Sequence, residues 1–401
     1  MNKSGFYLFL FLIYSSFSVN AQSFDTLSIN SKVFNAVRKI KVALPVGYND
    51  YPNLEKKYIV AYLFDAQSDG FFNFYKTTAN YLAEQGYMQQ LILVGISSDN
   101  RQYEFTPKAQ TKEGLKSFLK SGGADQLAMH MKNEVLPVIE SKYRSISYNI
   151  GVGHSLGATF VSYSLLKHPE LFNAVIAISP NFQYDNEQIV HKLDSCNDKD
   201  IFNHKFLYLA HGNRDYTEEK FKSATTKFDS LLNKRNFHGL RWKFKNLDNN
   251  NHGTTAMEGI FKGLYELNSQ LTLSQSQIEL FYKSKSFIES VKDYYESAST
   301  WSSLKLPFVD DLNTMGYNCY YSGKNKEAIQ IFEWALSIYP SNLNLYDSMG
   351  EVQENTGNKG LALTYYTKGI NLLKEQKAYL APKIYNEQLS YFESKLKSIK
   401  N

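Results

Sequence analysis

Seven consecutive apolar residues, Tyr58 to Phe64 (YIVAYLF), show no alternation with polar ones, and Leu91 to Ile96 (LILVGI) repeats the pattern. A short run of this kind, bounded by polar segments, reads as a strand covered on both faces, which a parallel sheet flanked by helices provides. Arg38 to Leu44, stopped by Pro45, reads as a further strand, as do Tyr148 to Val152, Ala174 to Ile178, Phe206 to Ala210 and Arg241 to Phe244. Between them lie helical patterns. Phe71 to Glu84 ends near Gly86, and Ala124 to Tyr143 carries Leu127, Met131, Val135 and Ile139 on one face. Ala158 to Lys167 is stopped by Pro169, and another helix runs from about Thr217 to Arg235. Strands separated by helices predict an α/β domain over residues 22–267, a mostly parallel sheet with helices on both faces. Ligands of such a sheet sit beyond the carboxyl ends of its strands.

From about Ser269 the strands stop. Met315, Gly316, Gly323, Ala328 and Phe332 recur 34 positions later as Met349, Gly350, Gly357, Ala362 and Tyr366. That is the period of tetratricopeptide helix pairs, whose small residues mark the closest approach of the two helices. We therefore expect an all-α, tetratricopeptide-like domain over 306–401, joined by a helical linker at 268–305. Two repeats need capping helices, expected at Ile278 to Ala298 and Pro382 to Ile399. A domain of this kind would dock a protein partner or pack beside the cleft as a lid.

Composition narrows the functions. The net charge of +5 is small for 401 residues and no Lys/Arg-rich block stands out, which argues against nucleic-acid binding. Cys196 and Cys319, the only two cysteines, exclude a disulfide framework and a cysteine-based zinc cluster and are most simply unpaired. Aromatic residues at 15% supply large packing groups and suit an aromatic-walled cleft. At the amino terminus, Lys3 precedes an apolar run from Phe6 to Tyr14, and Val19 and Ala21 form a small-x-small pattern. This reads as a signal peptide, residues 1–21, cleaved after Ala21. Phe6 to Val19 is well short of the roughly 20 residues needed to span a bilayer. The mature chain is therefore expected to be exported, periplasmic or secreted, with no membrane span.

The chemistry centres on Gly153-His154-Ser155-Leu156-Gly157, a G-x-S-x-G pentapeptide between the strand ending at Val152 and the helix opening at Ala158. Alone the pattern is weak. Strand, turn and helix in that order make a nucleophile elbow, in which the Ser155 hydroxyl projects above the sheet at the amino end of a helix. A serine hydroxyl needs a base, and in this fold the order is Ser, acid, His. His252, in the polar stretch Asp248 to Thr255 after the last strand, is the expected base, placed on a loop that can swing over the serine. His238 lies in a turn before that strand. Asp215, after the strand Phe206 to Ala210, is the expected acid. Asp215 and Glu218 also form an Asp-x-x-Glu helix cap, and Glu218 or Glu219 could substitute as acid. The oxyanion would be held by the backbone amides of Leu156 and Ala66.

These stretches resemble the esterase family of the α/β-hydrolase superfamily that includes esterase D and the feruloyl, acetylxylan and enterochelin esterases. The likeness runs over about residues 28–265. It rests on Ile40 to Pro45 with Tyr48, Gly95-Ile96 with Asp99-Asn100-Arg101 and Glu104-Phe105-Thr106-Pro107, and Gly153 to Pro169 with Ser179-Pro180. The repeat region resembles the tetratricopeptide tail of some exported bacterial members. The resemblance implies an exported serine esterase working without metal or organic cofactor on a small-molecule or polysaccharide-linked ester. A siderophore polyester hydrolase and an inactive hydrolase fold serving as a binding module are the rival readings. Asp65, Arg101 and His154 are candidate substrate contacts; Arg101 reads equally well as one half of a structural salt bridge. Many relatives have Trp after Ser-Pro, where this chain has Asn181-Phe182-Gln183-Tyr184-Asp185, so its pocket wall is expected to differ.

Overall fold

The computed structural model describes residues 24–50, 56–284 and 286–400; the signal peptide expected at 1–21 lies outside them. In chain order the α/β part contains β1 (Phe24–Ser31), β2 (Ala36–Ala43), β3 (Tyr58–Phe64), α1 (Asp69–Glu84), β4 (Leu91–Ile96), α2 (Arg101–Glu104) and α3 (Lys112–Ser117). Then come α4 (Ala124–His130), a π turn (Met131–Val135), α5 (Leu136–Lys142), β5 (Ser145–His154), α6 (Leu156–Lys167), β6 (Ala174–Ile178) and α7 (Tyr184–Asp194). β7 (Phe206–Gly212), α8 (Tyr216–Arg235), β8 (Arg241–Leu247) and α9 (His252–Asn268) complete it.

The eight strands form one sheet in the order β1-β2-β4-β3-β5-β6-β7-β8. β3 to β8 run parallel, while β2 pairs antiparallel with both β1 and β4. All residues of β3, β4, β6 and β7 are buried, which is why these segments carry no polar alternation. Two apolar layers, one on each face, hold the sheet. β1 was not expected from the sequence: it lies at the sheet's edge, and of its described side chains only Ile29 and Ser31 are buried. β3 and β5 are adjacent although β4 intervenes in sequence, so the connections diverge there and open a crevice beyond their carboxyl ends.

The carboxyl-terminal region is all helix: α10 (Gln275–Phe281), α11 (Phe287–Ser302), α12 (Val309–Tyr321), α13 (Asn325–Ile338), α14 (Leu343–Asn355), α15 (Lys359–Glu375) and α16 (Pro382–Lys400). The single capping helix expected at Ile278 to Ala298 is two helices, α10 and α11. The 34-residue repeat corresponds to two like helix pairs. A Cβ on Gly316 would stand 2.5 Å from the Phe332 ring, and Gly350 meets Tyr366 in the same way. Gly323 and Gly357 do something else: they sit in the interhelical turns at φ 73° and 85° with open space around them.

This helical region docks on the amino-terminal edge of the parallel strands. Lys56, just before β3, pairs with Asp310, and Gln89, just before β4, bonds Asp311. His204, before β7, bonds the Trp301 carbonyl at 2.7 Å, and Trp301 Nε1 donates to Gly239, before β8, at 2.8 Å. The expected lid is thereby corrected. The carboxyl edge lies a full strand length away, about 20 Å for seven residues.

Candidate active site

Ser155 follows β5 at the carboxyl edge and has φ 58° and ψ −120°, a strained conformation for a residue with a side chain. Two features sustain it. The Ser155 amide donates to the Ile178 carbonyl of β6 at 3.0 Å. A Cβ on Gly153 would collide with the backbone of Gly157 and Ala158, so only glycine lets the turn close. The hydroxyl stands before the first turn of α6, whose Leu156 N–H is among the donors that a helix start leaves unpaired.

His252 Nε2 lies 3.0 Å from Ser155 Oγ. The histidine is the first residue of α9, where Asn251 and Thr254 form a reciprocal capping box, so it is not on the loop expected to swing. Its main chain is held on both sides. The amide donates to Asp215 Oδ2 at 2.8 Å, and the carbonyl accepts from His154 Nε2 at 2.8 Å and Thr255 Oγ1 at 2.8 Å. The ring packs at 4.6 Å from the His154 ring and edge-on to Phe221 at 5.4 Å.

The carboxylate facing the imidazole is that of Glu218, not Asp215. His252 Nδ1 donates to Glu218 Oε1 at 2.6 Å, and Glu218 Oε2 accepts the Gly212 amide at 2.5 Å. Asp215 caps α8, accepting the Glu218 amide at 2.8 Å through its other oxygen. The reason is positional. Asp215 stands at the helix start and turns its oxygens to main-chain donors, whereas Glu218, one turn on and fully buried, reaches back beneath the imidazole. Glu219 is exposed. Burial would raise the Glu218 carboxyl, but hydrogen bonds from His252 and the Gly212 amide hold it below its ordinary value. With Nδ1–H committed to Glu218, the Nε2 lone pair faces the serine.

His154 Nε2 faces the His252 carbonyl and Thr255 Oγ1. Burial, helped by the adjacent His252, pushes its pKa down to about 4, so at neutral pH it is an uncharged donor to the His252 carbonyl. Arg101 and Asp65 bind each other, Nε to Oδ1 at 2.5 Å and a second contact at 3.0 Å, which is the salt bridge left open by the sequence. Ala66 is corrected as an oxyanion donor: its N–H is spent on the Ile96 carbonyl at 3.1 Å, where β4 ends. The amide of Gln67, the next residue, has no acceptor among the described residues. His238 pairs with Asp200 at the opposite edge. Cys196 and Cys319 are both free. Among the described residues no group of His, Cys, Asp and Glu is arranged to hold a metal ion, and no helix is long and apolar enough to cross a membrane.

A family model described as "Putative esterase" matches residues 31–243. Uncharacterized protein YbbA of Bacillus subtilis is 29% identical over 114 residues, 26% of this chain; the match spans 45% of that protein. Among solved structures, an IroE-like serine hydrolase from Shewanella oneidensis aligns with a TM-score of 0.67 at 21% identity, covering 79% of this chain and 100% of that one. An uncharacterised protein from Capnocytophaga ochracea aligns with a TM-score of 0.62 at 16% identity over 93% of this chain and 100% of that one, a span that reaches into the helical region.

Proposed function

The chain belongs to this esterase family of the α/β-hydrolase fold, and from that premise we propose that it is an exported serine esterase acting through Ser155, His252 and Glu218. The observation that carries the reading is the continuous relay Ser155 Oγ, His252 Nε2, His252 Nδ1, Glu218 Oε1, with spacings of 3.0 and 2.6 Å around the bond within the ring. As Ser155 Oγ attacks the ester carbonyl, its proton passes to His252 Nε2. Glu218 keeps the other ring nitrogen protonated and stabilises the imidazolium that forms. The oxyanion is received by Leu156 N–H and Gln67 N–H, the latter replacing Ala66. The alcohol leaves with the proton from His252, and water, deprotonated by the same imidazole, releases the acyl group. Asp215 and His154 act on the main chain of His252 and hold the ring over the serine.

The substrate is an ester with a small-molecule or polysaccharide-linked alcohol. Export rests on the leader pattern at residues 1–21. We read the two helix pairs as a tetratricopeptide-like scaffold open to a protein partner, supported by the paired Gly316–Phe332 and Gly350–Tyr366 contacts.

The test is to incubate residues 22–401 with p-nitrophenyl acetate and with a fluorophosphonate probe, beside Ser155→Ala. Turnover and covalent labelling in the wild type, both lost in the variant, are expected. A folded wild type that neither turns over nor labels overturns the enzyme reading in favour of a binding module. Feruloyl, acetyl-xylan and ferric catecholate esters then sort the substrate.

A further inference from the structure

The stretch that the sequence marked as a departure, Asn181 to Asp185, holds down a projection on the catalytic edge. Asp185 accepts the Gln110 amide at 2.7 Å, and the Thr111 amide and hydroxyl at 3.0 and 2.6 Å. The Tyr184 hydroxyl donates to Pro107 at 2.6 Å, and its ring meets Phe118 edge-on at 4.6 Å. Gly114 fits against Asp185 so closely that a Cβ has no room. The excursion closes at its neck, where Gly122 N donates to Thr106 O at 3.1 Å. Residues 108–121 thus leave and rejoin the body at one place, held chiefly by Tyr184 and Asp185, with a further bond from Gln102 Nε2 to the Ser117 carbonyl at 3.3 Å.

The free side is unusual. Lys108, Lys112, Lys116 and Lys120 are all exposed, and among the described residues none of their ammonium groups has an ion-pair or hydrogen-bond partner. Glu113 is the only acid in the stretch. Leu115 is 49% exposed and Leu119 84% exposed. At about 100° per residue, Leu115, Lys112 and Lys116 share an arc of roughly 100°, turned away from the buried Gly114. Four ammonium groups against a single carboxylate on one small projection repel each other, and two leucines in water gain nothing there. Both costs vanish against a surface that is anionic and has an apolar layer beneath its charge.

We propose that the projection at 108–121 docks the protein onto an anionic lipid surface, Leu115 and Leu119 entering the headgroup boundary while the four lysines meet lipid phosphates. Leu119, 84% exposed, stands beside Lys120 and gives the projection an apolar element that a soluble anion would not use. The charge sits on long flexible stems, which suits a fluid surface better than a folded protein partner. Because the projection and Ser155 share the carboxyl edge, docking would turn the catalytic serine toward the membrane.

The test is co-sedimentation of residues 22–401 with vesicles of phosphatidylcholine alone or mixed with phosphatidylglycerol, at low and high salt. We expect binding only to the mixed vesicles, weakened by salt, and falling by about tenfold or more in K112E/K116E. L115S/L119S should fall comparably at low salt. The charge-matched tail variant K326E/K359E should bind like wild type, and all three should hydrolyse p-nitrophenyl acetate as wild type does, showing that they fold. The proposal is overturned if the wild type ignores the mixed vesicles, if either projection variant binds them undiminished, or if the tail variant loses as much. Should the esterase reading fail, circular dichroism and thermal unfolding of the three variants supply the folding control instead, and the vesicle result still stands because it reads partitioning and not turnover.

Discussion

The two edges of the sheet are built on opposite plans. At the carboxyl edge the backbone is strained where the strands end: Asp65, Ser155 and Ser179 have φ of 72°, 58° and 48°. Charged and polar groups are drawn inward there, with Glu218 fully buried and His252 only 25% exposed at its side chain. At the amino edge the same strands meet the helical region chiefly through packing, although His204 and Ser303 there also have positive φ, 60° and 58°, and the Asp311 carboxyl is buried. Trp301 and Leu304 join the apolar layer of the sheet, Arg241 lies 4.0 Å over the Trp301 ring, and surface pairs such as Lys56–Asp310 close the rim. Strain and buried charge cost stability and persist where surrounding structure over-determines them. The packed edge supplies that surplus, while the strained edge is where chemistry is to be expected.

The contrast can be broken by separating turnover from stability. The largest effect should come from His252→Ala, which we expect to lower kcat by about 10⁴-fold or more while shifting the unfolding midpoint little. A loss below about tenfold would remove the carboxyl edge as the reaction centre. Trp301→Ala probes the other edge: denaturant unfolding should show a loss of about 3 kcal/mol with kcat for a soluble ester within about twofold of wild type. A large fall in kcat would mean that the edges are coupled. The smallest effect sharpens the comparison through pH. Because burial holds His154 at about 4 against an ordinary 6.5, the unfolded chain takes up its proton first as pH falls. Native stability therefore declines from pH 6.5 toward 4, by a few kcal/mol at most. His154→Gln, which keeps a donor and cannot titrate, should flatten that decline in urea midpoints measured across the range.

What the sequence made legible follows from the same physics. β3, β4, β6 and β7 were plain because strands covered on both faces have no room for polar residues, and Gly153 to Gly157 marks its own turn. The β1 strand escaped because edge residues such as Asp25, Thr26 and Ser28 face outward and mimic a loop. Spacing left Asp215 and Glu218 unresolved, since both lie in one Asp-x-x-Glu turn. Only the path of α8 decides which oxygen meets a main-chain amide and which meets the imidazole. Ala66 was misplaced because backbone donors carry no side-chain signature, and the Ile96 carbonyl that takes its N–H arrives from another strand. The position of the helical region was invisible locally, for it depends on contacts between Lys56 and Asp310 and between Gly239 and Trp301, far apart in the chain.

Whether the buried glutamate one turn into α8 serves the reacting imidazole while the aspartate before it serves the backbone is decided by kcat and KM for Glu218→Gln and Asp215→Asn on one chromogenic ester. We predict a kcat lower by about 10³–10⁴-fold for Glu218→Gln with KM nearly unchanged, and a fall of about tenfold or less for Asp215→Asn. The reverse ranking, with Asp215→Asn crippled and Glu218→Gln close to wild type, would contradict this assignment.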